Sequence, residues 1–131
     1  MEFRIGKHLI GDSHPTFIVA EMSGNHGGNL ETALEIVRAA KRVGADAVKL
    51  QTYTADTITI NSDKADFRIL NGNPWSDYST LWELYNKAYT PWEWHKPIFE
   101  RCHELGLYAF STPFDETAID FLSSLNVPCF K

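Results

Sequence analysis

Glu21, Lys49, Gln51, Thr112 and Lys131 are the residues of this chain whose types and spacing suit chemistry. Each stands in or just after a short apolar run: Phe17–Ala20, Ala47–Gln51, Leu107–Ser111 and Pro128–Lys131. If those runs are parallel strands, the side chains at their ends converge on one rim. Two ammonium groups and a hydroxyl on one rim make an anion site, most naturally for phosphate and carboxylate. Lys49 and Gln51 are two residues apart and so share a face of their strand. Lysine usually sits on an exposed edge, but Lys49 lies inside an apolar run with no other polar alternation, which favours a functional reading. Glu21 is the acidic member, and capping a loop or pairing with Lys49 explains it as well as catalysis does.

The loop after Glu21 adds Asn25 and His26 as candidate substrate contacts. His26 can equally be a ligand or a hydrogen-bond partner that stabilises the loop. Gly27 and Gly28 allow close backbone approach to a ligand, although as a phosphate-loop motif they are weak. One histidine makes no metal site, and His95 and His103 fall on a helix, where solvation is expected. Trp75, Trp82, Tyr85, Tyr89, Trp92 and Trp94 have the make-up of a sugar or base platform. Helix packing accounts for most of them, leaving Trp75 or Tyr78 to approach a ligand.

These residues need a scaffold, and the chain alternates two hydrophobic periods. Phe17–Ala20 is a continuous apolar run between Pro15 and the Ser23–Gly28 loop, which predicts a buried strand. Leu30, Ala33, Leu34, Val37 and Ala40 recur at helical spacing, with Asn29 as N-cap and Gly44 as the stop. Ala47–Gln51 is the second strand. A polar stretch from Thr52 to about Tyr78, with Asn71, Gly72, Asn73 and Pro74 near its end, is too long for a simple connection. It is expected to be functional or to carry small elements of its own. Thr80 to Ala88 reads as a short helix. Thr90, Pro91 and Glu93 then form a strong helix start, for a helix running to Leu105 and stopping at Gly106. Pro97 is its weak point, placed where it should kink or delay the helix. Leu107–Ser111 is the third strand, Glu116–Leu125 a helix and Pro128–Lys131 the fourth strand. Repeated strand–helix units imply a parallel sheet with helices outside. The fold class expected is α/β, the N-terminal half of a (β/α)₈ TIM barrel. A whole barrel takes about 250 residues, so residues 1–131 are expected to be a partial barrel domain.

Composition narrows the function classes. A hydrophobic fraction of 44% suffices for a packed core. A net charge of −5 offers no basic footprint for nucleic acid. No apolar run approaches a membrane span, and the N-terminal segment is too polar for a signal peptide. Cys102 and Cys129 have neither metal-ligand nor redox spacing. Two isolated thiols point to a reducing compartment, cytoplasm by default, with a disulfide as the alternative.

Four motifs in chain order carry a resemblance: Glu21–Gly28, Lys49–Tyr53, Phe110–Phe114 and Val127–Lys131. They resemble the successive strand-end motifs of the sialic acid synthase family. Lys49–Thr59 and Tyr89–His95 are most similar to pseudaminic acid synthases, with N-acetylneuraminate synthases the close alternative. The resemblance implies condensation of phosphoenolpyruvate with an open-chain N-acetylated amino sugar, 2,4-diacetamido-2,4,6-trideoxy-altrose for the pseudaminic branch. The product is a nine-carbon 2-keto acid, and phosphate is released. It also implies roles: Lys49, Thr112 and Lys131 on phosphoenolpyruvate, Gln51 at the sugar end and Glu21 as general acid/base. A divalent cation, manganese or magnesium, is implied with both histidine ligands outside this chain. So are a homodimer and a C-terminal antifreeze-like domain that this chain lacks. On that reading the 131 residues alone have no activity.

Overall fold

The computed structural model describes residues 2–70 and 72–131; Asn71, within the polar stretch, and Met1 lie outside the described residues. Three strands, β3 (Val19–Glu21), β4 (Ala47–Thr52) and β5 (Tyr108–Pro113), form one parallel sheet in sequential order. The connections run through α1 (Leu30–Arg42) and, after a longer excursion, α4 (Trp92–Glu104). α5 (Glu116–Ser124) follows β5 and packs back on it. Sequential parallel strands with their helices on one face are the half-barrel expected from the sequence.

Local chemistry explains the boundaries. Asn29 caps α1 by accepting from the Thr32 amide, and Gly44 leaves the helix at φ +82°. The polar stretch does carry elements of its own: α2 (Ala55–Ile58), a 3₁₀ turn (Ala65–Phe67) and α3 (Leu81–Ala88). Thr80 caps α3 in a reciprocal box with Glu83. Between the sheet and the helices lies an apolar core of Met22, Ala33, Val37, Val48, Leu50 and Ile98. Each large side chain buried there contributes roughly 1.5–3 kcal/mol. The thiol of Cys102 belongs to this core, and burial pushes its pKa up to about 12. Cys102 and Cys129 are both free.

Four expectations need correction. The first strand is Val19–Glu21, not Phe17–Ala20, and it is not buried: Val19 is 38% exposed because β3 pairs only with β4 among the described strands. The third strand is shifted to Tyr108–Pro113, so Thr112 lies within it. The fourth strand reduces to one parallel bridge, Ser111 to Phe130, with the Lys131 amide donating to the Ser111 carbonyl at 3.2 Å. Pro128 has no amide hydrogen to extend that ladder. Thr90 does not cap α4; Pro91 takes the cap position and the Thr90 hydroxyl is engaged elsewhere. Pro97 sits inside α4 without ending it.

The sequence reading also missed an N-terminal hairpin, β1 (Phe3–Ile5) and β2 (His8–Ile10), which covers the start of β5. The Lys7 amide donates to the Tyr108 hydroxyl at 3.0 Å, and His8 and Phe17 pack edge-on and tilted against that ring. Gly6 makes this approach possible. It has φ +58°, and a Cβ there would lie 2.3 Å from Tyr108 Cε1. The ring is held there by the Lys7 amide, His8 and Phe17, so these contacts would have to shift. Gly6→Ala is therefore expected to destabilise the protein by about 2 kcal/mol. The check is a urea titration in which the midpoint falls and the slope holds.

Candidate functional site

The strand register decides which side chains meet. Glu21 lies beside Lys49, Lys49 beside Phe110, and Gln51 beside Thr112. In a parallel sheet such neighbours share a face, and this face is the one turned away from α1 and α4. Val48, Leu50 and Thr52 occupy the other face and enter the helix-side core or its hydrogen bonds. The alternation expected for Lys49 and Gln51 is thus present, at the C-terminal ends of the strands where barrel chemistry is located.

Lys49 is 7% exposed, and its ammonium donates to Glu21 Oε1 at 2.8 Å. The Glu21 side chain is 51% exposed, so the pair spans the boundary between core and solvent. The Lys49 hydrogen bond holds the Glu21 carboxyl below its usual range. The Ser23 hydroxyl at 3.3 Å and the positive field of Lys131 act the same way, each more weakly than the desolvation that opposes them. Glu21 is therefore a carboxylate at neutral pH. Lys131 follows the bridge to Ser111, which brings its charge within reach of Glu21. Thr112 Oγ1 is buried and has no hydrogen-bond partner among the described residues, a state that costs about 1–3 kcal/mol. Of the sequence candidates, Glu21, Lys49, Gln51, Thr112 and Lys131 come together.

Asn25 and Gln51 line an adjoining cavity of about 380 Å³, with Tyr53, Asn73, Trp75 and Tyr85. Trp75 is thus the indole at the cavity, while Trp82 bonds Asp56 and Trp92 stacks on Phe121. A larger cavity of about 660 Å³ between α4 and α5 opens at Leu107 and Tyr108, the opposite end of β5.

His26 departs from the substrate-contact reading. It is 1% exposed; the Gly28 amide donates to its Nδ1 at 3.1 Å, so its Nε2 donates to Thr90 Oγ1 at 3.0 Å. Burial lowers its pKa, and Trp94 packs edge-on against it. With both ring nitrogens engaged, His26 ties the loop bearing Asn25 to the start of α4. His95 also departs from expectation: it is fully buried, not solvated. Its Nε2 lies 2.8 Å from Thr52 Oγ1, which lies 2.6 Å from Ser111 Oγ. In the sequence Thr52 opens the polar stretch and so reads as the start of a loop. Its place one residue after Gln51, facing the helices, was the signal available. Among the described residues no three His, Cys, Asp or Glu side chains form a metal-sized cluster. No helix among them is long and apolar enough to cross a membrane.

The chain as a whole has known relatives. The chain is similar to the pseudaminic acid synthase of Campylobacter jejuni subsp. jejuni serotype O:23/36, with 50% identity over 115 residues, covering 88% of this chain and 33% of that protein. It is 43% identical over 122 residues to the N,N'-diacetyllegionaminic acid synthase of Legionella pneumophila, covering 92% of this chain and 33% of that one. The N-acetylneuraminic acid synthetase of Leptospira borgpetersenii serovar Hardjo-bovis, solved in complex with citrate, superposes with a TM-score of 0.76 at 27% identity. That match covers 97% of this chain and 39% of the other. The chain thus spans about a third of the length of the curated relatives it matches. Residues 36–131 match the NeuB family model, and the chain belongs to the NeuB family.

Proposed function

We propose that this chain supplies the phosphoenolpyruvate side of the active site of a nine-carbon sugar acid synthase, of the pseudaminic type. The observation that carries the reading is the buried Lys49 ammonium at the C-terminal rim, paired with Glu21. Thr112 and Lys131 stand beside it, and Gln51 opens towards the cavity. Phosphoenolpyruvate presents a carboxylate and a phosphate to these groups. A relative of the same fold takes up citrate, itself a polycarboxylate.

In the reaction, C3 of phosphoenolpyruvate forms a bond to the aldehyde carbon of an N-acetylated amino sugar. Water adds at C2, and the C2–O bond to phosphate breaks, leaving the 2-keto acid and inorganic phosphate. Lys49 and Lys131 neutralise the anionic ends of the substrate, with Thr112 donating its hydroxyl. Glu21, ionised in the free protein, accepts one proton of the attacking water and passes it to the departing phosphate. The aldehyde oxygen, left as an alkoxide by C–C bond formation, takes up the proton that the C2 hydroxyl releases on becoming the ketone. Gln51, Asn25 and Trp75 face the sugar, whose amide and hydroxyl groups suit two amides and an indole. The two buried histidines do not fit a divalent cation: both ring nitrogens of His26 and of His95 are already bonded. No step is assigned to a metal here; a manganese or magnesium ion would take its ligands from elsewhere in the parent protein. The parent is read as a cytoplasmic homodimer that completes the barrel.

The test is phosphate release by the parent protein from phosphoenolpyruvate, with 2,4-diacetamido-2,4,6-trideoxy-altrose and N-acetylmannosamine compared as acceptors. The altrose derivative is expected to be preferred by at least about 10²-fold in kcat/KM, the scale set by unpaired polar groups in a mismatched pocket. Preference for N-acetylmannosamine would move the assignment to N-acetylneuraminate synthesis. Release of phosphate with neither sugar would end the synthase reading.

A further inference from the structure

We propose that the buried chain Ser111–Thr52–His95 is a positioning device for the anion site, holding the strand ends that carry Gln51, Thr112 and Lys131. The inference rests on the synthase reading above and adds residues that never touch substrate.

The direction of the chain follows from one carbonyl. Pro91 O lies 3.3 Å from His95 Nδ1, and a carbonyl can only accept, so Nδ1 carries the ring proton. Nε2 is then a bare acceptor and takes the Thr52 hydroxyl proton at 2.8 Å. Thr52 Oγ1, having donated, accepts from the Ser111 hydroxyl at 2.6 Å. Every member has one available role, so the network has a single arrangement. His26 holds the opposite tautomer, because there an amide donates to Nδ1. All three members are fully buried, and His95 is held edge-on between Phe99 and Phe121. A buried chain of this kind is rigid when complete and costly when broken.

What it holds is the end of the sheet. Thr52 is the last residue of β4, and its carbonyl accepts the Phe114 amide at 3.2 Å. Ser111 bridges Phe130, and its carbonyl accepts the Lys131 amide at 3.2 Å. Gln51 precedes Thr52 and Thr112 follows Ser111, so strand alternation sends their side chains to the opposite, substrate-side face. The helix-side network thereby fixes the spacing of β4 and β5 where the substrate-side groups must be placed. It also ties both strands to α4. Productive geometry tolerates only about 0.5 Å of error, which is the reason such support matters.

The experiment uses the parent protein with Thr52→Val, which keeps shape and removes the hydroxyl, and Thr52→Ser, which restores it. Thr52→Val is expected to lower kcat/KM for phosphoenolpyruvate at least about tenfold, mainly through KM, with Thr52→Ser within about threefold of wild type. The ¹⁵N resonances of His95 are expected to show the Nδ1–H tautomer in wild type and a displaced Nε2 signal in Thr52→Val. A Thr52→Val protein that melts earlier yet keeps wild-type kcat/KM would reduce the network to plain stability and overturn the proposal. A wild-type ring protonated on Nε2 alone overturns it as well. Wild-type protein that neither turns over nor binds phosphoenolpyruvate sinks the synthase reading, and this inference with it.

Discussion

Replacing Lys49 by methionine in the parent protein is expected to lower kcat/KM for phosphoenolpyruvate by about 10³-fold, the scale of losing one preorganised charge at the reacting centre. Stability should change little, and the geometry says why. Breaking a buried ion pair is damaging when it strands a charge in the interior. Here the partner left behind is Glu21, whose side chain is half exposed and stays hydrated. Methionine also fills much of the volume of the lysine stem, which lies in the buried part of β4. A kinetic assay beside a thermal melt separates the two effects. Lys49→Met with activity within tenfold of wild type would remove the central residue from the site. A companion Glu21→Gln should act non-additively with it, because the two side chains share one hydrogen bond.

Acid sensitivity centred on His95 is the second large effect. Its pKa is held down to about 4, chiefly by burial; its hydrogen bond to the Pro91 carbonyl and the nearby Glu93 carboxylate pull weakly the other way. The groups around the ring are Thr52, Phe99 and Phe121. In the unfolded chain the ring titrates near 6.5. Between those values the unfolded state binds the proton and the folded state does not, so stability rises with pH across the window. His95 thus contributes its full stabilisation above pH 6.5 and loses it progressively towards pH 4, a swing of about 3 kcal/mol. His26, whose pKa burial also lowers, adds to the same trend. Chemical denaturation at pH 7, 6, 5 and 4 measures it, and His95→Gln supplies the comparison, since carboxylates also titrate in the lower part of the range. A wild-type profile parallel to that of His95→Gln would show that the ring is not the source.

Two kinds of information lie behind these expectations. The sequence by itself determined the strand–helix alternation, the Asn29 cap, the glycine stop at Gly44 and the strand-end positions of Glu21, Lys49, Gln51 and Thr112. These are local properties: a hydrophobic period, a cap and a two-residue alternation are each written within a few residues of chain. Only the tertiary structure decided that Lys49 is paired with Glu21 across 28 residues, that Thr90 serves His26 instead of capping α4, and that His95 is buried against Thr52. It also docked a hairpin on Tyr108 and left β3 with one neighbour. A polar side chain reads the same on an exposed helix face and on a buried one. Burial and partnership depend on what packs from distant parts of the chain, and no local spacing encodes that.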